Sequence, residues 1–132
     1  MLEKVKEFHE RLPEFTKNEE IAARLHKVVE ETFRTAYYDL MTARDQKEVL
    51  KDCICSAMVD ERVFEKVSLD EGIKVAEKIA EEILKLTGKD LNNFKKFGEL
   101  YIKWNTVKNL EKELSKQGLD FKKTRRFNSK KE

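Results

Sequence analysis

The side chains best suited to chemistry in this 132-residue chain are few. Its histidines and cysteines are His9, His26, Cys53 and Cys55, the number of ligands that closes a structural zinc site. Their spacing argues against one. On a helix, side chains two positions apart point about 200° away from each other, so both thiolates reach one ion only if the helix breaks. Cys53 falls on the apolar face of its segment and reads as a small core residue, whereas Cys55 reads as a partly exposed thiol. Two cysteines so spaced also imply no disulfide framework. A di-iron bundle wants Glu three residues before each histidine, and those positions hold Lys6 and Ala23. Neither a metal nor a cofactor is expected.

Hydrolytic chemistry fares no better. Glu77, Glu81 and Glu82 could offer carboxylates to a divalent cation, but they alternate with Lys78 and Lys85. That pattern suits a solvated face laced with ion pairs. The combination of Glu-x-x-Glu with Glu-x-x-Asp found in helical pyrophosphohydrolases is absent, since no Asp has Glu three positions before it. The sequence contains no Gly-x-Ser-x-Gly elbow, Walker loop or glycine-rich phosphate cradle. It also lacks the Arg-x4–6-His pattern of helical ribonuclease domains. No catalytic residue is assigned, and the chain reads as a non-enzyme.

Charge points outward instead. Residues 1–88 carry 15 Lys and Arg against 20 Asp and Glu, while residues 89–132 carry 13 against 6. The formal total of +2 therefore hides a separation of −5 from +7. Lys108, Lys112 and Lys116 repeat every four residues, which places them in one row on a helix. Like charges at that spacing oppose one another without an anion, although lysines near a helix C-terminus also suit the macrodipole. The row runs into Lys122, Lys123, Arg125, Arg126, Lys130 and Lys131. Nine cations so arranged fit phosphate contacts to DNA or RNA, which are salt-sensitive and indifferent to sequence. The alternative is a helical assembly or adaptor subunit whose basic end docks on an acidic protein surface, its own or a partner's. A helix-turn-helix reading is disfavoured, because Glu77, Glu81 and Glu82 would line the recognition helix and repel phosphates. Phe94, Phe97, Tyr101 and Trp104 could stack on bases, but a stripe at helical spacing is more simply core.

The elements that position these residues are helices. One Pro and four Gly among 132 residues, with 41% charged and 39% apolar, describe an all-α chain. The length suits one compact domain over residues 1–121, a bundle of about five helices. Residues 122–132 follow as a flexible basic tail with little to bury. Abundant Lys and Glu with only two Gln fit a thermophilic bias. No run approaches the ~18 apolar residues of a membrane span, and no signal-peptide core follows Met1, so a cytoplasmic protein is expected.

Apolar spacing sets five segments. Leu2, Val5, Phe8 and Leu12 line the first, which Pro13 limits. Thr16 or Asn18 caps the second, which extends over 19–43. Asp45 with Glu48 and Ser68 with Glu71 form capping-box patterns that start the third and fourth, and Gly88 stops the fourth. Asp90 caps the fifth, which runs to Gly118. Leu119 and Phe121 could fold back against its end. This last helix is apolar on two sides, since Leu100, Val107, Leu110 and Leu114 are rotated by about 100° from the aromatic stripe. It is either the central helix of the monomer or one whose second half meets another subunit.

Overall fold

A computed structural model describes residues 1–118, so the expectations for Leu119, Phe121 and the 122–132 tail lie outside the described residues. Five α-helices follow one another: α1 Leu2–Arg11, α2 Glu19–Met41, α3 Gln46–Asp60, α4 Leu69–Thr87 and α5 Leu91–Lys116. Single 3-10 turns at Leu12–Phe15 and Val63–Glu65 join α1 to α2 and α3 to α4. The fold is an all-α bundle.

Helices α2 to α5 each begin where a short polar side chain can accept a backbone N–H, whereas α1 starts at Met1 without a side-chain cap. Asn18 accepts from Glu20 and Ile21, Asp45 from Glu48, Ser68 from Glu71, and Asp90 from Asn92 and Asn93. Such a cap is worth about 1 kcal/mol. Gly88 ends α4 at φ +64°, a backbone conformation that a Cβ would strain. α2 stops at Met41, two residues short of the periodicity.

One apolar cluster draws on all five helices. Val5, Phe8, Leu25, Val29, Leu50, Ile54, Ile79, Ile83, Phe97 and Tyr101 are each at most 1% exposed. α2 lies at the centre, against α3 on one side and α5 on another, while α4 covers α3 and α1 lies along α5. Arg24 of α2 donates to the Glu61 carbonyl at 3.1 Å, and the Cys53 thiol to Asp39 at 3.6 Å, so α2 and α3 run antiparallel. Gly98 permits the close approach of α5 to α2, since a Cβ there would lie 2.9 Å from Cδ1 of Phe33. The Glu81 and Glu82 carboxylates pair across helices, with Lys47 and Arg11, at 2.6 Å each. That face is an ion-paired surface of the bundle.

α5 is not central over its whole length. Phe94, Phe97 and Tyr101 are buried, but no apolar residue beyond Tyr101 in this helix is. Leu100, Val107 and Leu114 are half-buried and Leu110 is 49% exposed among the described residues. Of the two alternatives for α5, the central-helix reading holds for its aromatic side, while the side of Leu100, Val107, Leu110 and Leu114 is at most half-buried within one copy. Helices α1 and α2 still contact α5 at Trp104 and Asn105, and the apolar residues beyond these are at most half-buried.

Candidate nucleic-acid interface

The row of lysines lies on the second half of α5. Lys112 and Lys116 are exposed and Lys108 is half-buried. Lys108 makes two local contacts. Its ammonium pairs with Glu111 at 3.4 Å and stands 4.9 Å from the centroid of the Trp104 ring. Lys6, from α1, stands 4.8 Å from the same centroid. Two helices thus bring two cations onto one indole. Each such contact is worth about 0.5–1 kcal/mol at a partly exposed site. Lys6 also has Glu3 at 3.9 Å, a distance with little energy in solvent.

Trp104, the last member of the aromatic stripe, packs against the edge of the core rather than within it. Its ring is half-buried, and its Nε1 is buried without a hydrogen-bond partner among the described residues. The remaining aromatics of the stripe are core. Phe33 packs against Phe94, Phe97 and Tyr101 with centroids 5.2, 5.7 and 5.4 Å away. Among the described residues Tyr38 is the exposed aromatic, at 76%, and it lies on α2 rather than beside the lysines.

Beneath the basic row is a buried polar cluster that sequence reasoning missed. The rings of His9 and His26 stack with centroids 3.9 Å apart. His9 Nε2 lies 3.0 Å from Asn105 Oδ1, and Asn105 Nδ2 donates to Glu30 at 3.3 Å. The Tyr101 hydroxyl donates to the His26 carbonyl at 3.2 Å and lies 3.4 Å from His26 Nδ1. Burial pushes the His26 pKa down to about 4, and neighbouring His9 and Lys112 push the same way. Burial also lowers that of His9, against its hydrogen bond to Asn105, and the charges of Lys108 and Lys112 add to the lowering. The basic row therefore projects a positive field into the bundle. Helical spacing alone gave no signal for this cluster, because its members come from α1, α2 and α5.

The cysteines occupy another face. Cys53 meets Asp39 of α2 rather than the histidines, so the four candidate zinc ligands are not brought together. Both thiols are half-buried. The contrast of a core Cys53 with a more exposed Cys55 is thus corrected: the α3 periodicity could not show that α2 leaves a groove beside Cys53. Burial, with help from Asp39, pushes the Cys53 thiol up to about 11, and burial and Asp52 raise that of Cys55.

Lys122, Lys123, Arg125, Arg126, Lys130 and Lys131 lie outside the described residues, so the structure places three of the nine expected cations and adds Lys6 to them. Among the described residues no helix is long and apolar enough to cross a membrane. No family model matches the chain, and neither a curated protein nor a solved structure is similar to it.

Proposed function

We propose that this protein is a non-enzymatic, cytoplasmic accessory protein that binds DNA or RNA with little sequence preference through α5 and the basic segment that follows it. The observation that carries the reading is the convergence of Lys6 and Lys108 on Trp104, with the exposed Lys112 and Lys116 continuing the row toward the end of α5. The ring already holds two ammonium groups, so it favours phosphates beside it over a base stacked on it. Contacts of this kind position a protein on a backbone without reading sequence. Lys122, Lys123, Arg125, Arg126, Lys130 and Lys131 would add phosphate contacts beyond the helix.

The test is retention of labelled single- and double-stranded DNA and RNA across a salt series. Changing Lys108, Lys112 and Lys116 together to Gln weakens binding about equally for unrelated probes. Truncation after Phe121 leaves the fold intact and flattens the slope of log K against log salt, by up to about 0.9 per lost duplex phosphate contact. Absence of retention of every probe at low salt overturns the reading.

A second reading, an assembly or adaptor subunit, is favoured by the stripe of Val107, Leu110 and Leu114 on the same helix half, with Leu110 49% exposed. Native mass measurement of the purified protein, with absorbance at 260 and 280 nm, separates the two. A defined oligomer free of nucleic acid supports the second, and a monomer carrying nucleic acid supports the first.

A further inference from the structure

The acidic pole of the molecule has a shape as well as a sign. Between the antiparallel α2 and α3 runs a groove of about 610 Å³. Its floor is formed by small side chains, Val49, Cys53 and Ala57, and its rim carries the carboxylates of Glu31, Asp39, Asp52 and Asp60. One cation, Arg34, faces these four, and it already has Glu30 at 3.9 Å. Among the described residues none of the four carboxylates is in an ion pair, whereas the neighbouring Glu61 has Lys27 at 3.4 Å. The crowding is felt at Glu31, whose pKa is raised by burial and by the neighbouring carboxylates of Glu61 and Asp60. Val49 to Asp60 spans 11 helical steps, about 16 Å of groove at ~1.5 Å each, the length of roughly five extended residues.

We propose that this groove is the docking site of the chain's own basic segment, Lys122–Lys131. Charge complementarity selects it. The stretch Lys122-Lys123-Thr124-Arg125-Arg126-Phe127-Asn128-Ser129-Lys130-Lys131 holds six cations, no acid and one aromatic side chain. Its cations match the rim, and Phe127 matches the apolar floor. The reach is sufficient. Asn105 of α5 touches Glu30, the neighbour of Glu31 at the groove, and α5 ends at Lys116, about 17 Å farther along its axis. Returning around α2, about 10 Å thick, calls for roughly 20 Å. The eight residues from Gly118 to Arg126 span up to about 27 Å when extended. The groove and a polyanion then compete for the same cations, so a bound nucleic acid frees the groove.

Zero-length carbodiimide coupling of the full-length protein, free of nucleic acid, tests the docking. An equimolar mixture of nitrogen-14 and nitrogen-15 copies distinguishes links within a chain from links between chains. The expected map joins Lys122, Lys123, Lys130 or Lys131 to Asp39, Asp52 or Asp60 within one chain. These links disappear in high salt, and the Asp52→Asn/Asp60→Asn variant loses those at the two changed positions. A second measurement reads the floor. In the Arg125→Gln/Arg126→Gln/Phe127→Ala variant, Cys53 reacts with iodoacetamide several-fold faster relative to Cys55 than in the unchanged protein. Loss of positive charge alone would raise the thiol pKa and slow Cys53, so the sign separates uncovering from electrostatics. Tail lysines coupled only to other carboxylates, links only between copies, or a Cys53 rate unchanged or slowed each overturn the proposal. None of these readouts involves nucleic acid, so the docking and the nucleic-acid reading can fail separately.

Discussion

The stacked histidines beneath the basic row tie stability to pH in a direction that can be worked out. His26 has its pKa lowered from 6.5 to about 4 in the folded protein. In the unfolded chain it returns to about 6.5. Between those values the unfolded chain binds more protons, so stability rises with pH across the window and is lost as pH falls through it. The groups around the pair set the sign. Lys108 and Lys112 of α5 disfavour a charged imidazole, while Glu10 of α1 favours it at His9. A shift of this size corresponds to about 2 kcal/mol between pH 7 and pH 4.5, discounted for the part of the ring that solvent screens. Carboxylates also titrate there, so the comparison is with His26→Gln, which keeps a polar side chain and cannot titrate. Urea unfolding at both pH values gives the two differences. The unchanged protein should lose about 2 kcal/mol more than the variant. His9 adds in the same direction and remains in both proteins. Equal losses, or a His26 carbon-bound proton titrating near 6.5 by NMR, would show that the ring is not desolvated as the stacking and the Tyr101 contact require.

Two further outcomes test the packing. Gly98→Ala gains helix propensity but places its Cβ 2.9 and 3.1 Å from Cδ1 and Cβ of Phe33; thermal unfolding should show a net loss of about 1 kcal/mol, recovered when Phe33→Leu is added. Leu110→Gln should leave the stability of a monomer within about 0.5 kcal/mol, because the side chain is half exposed, whereas a fall in native mass would identify the α5 stripe as an interface between copies.

The starts of α2 to α5 and the end of α4 could be read from the sequence because their causes lie within a turn. Asn18, Asp45, Ser68 and Asp90 cap the helices they precede, and Gly88 takes the left-handed turn that ends α4. The inward stripes of α1, α2 and α4 were equally plain, since a 3.6-residue period needs no partner to be seen. The two apolar sides of α5 were also legible, but not which would be covered. That depends on which faces of α5 meet α1, α2 and α4 once the helices pack. Trp104 and Lys108 are an i,i+4 pair visible in the chain, whereas the approach of Lys6 is not, because α1 must first pack on α5. The histidine stack and the acidic groove belong to the same class. His9 and His26 lie 17 residues apart, and Asp39 and Asp52 lie 13 apart on different helices. Their distances and burial, and hence the lowered pKa values of the two histidines, exist only once helix faces are paired. Local propensity acts over about one turn, while the field at a buried imidazole sums over every element packed against it.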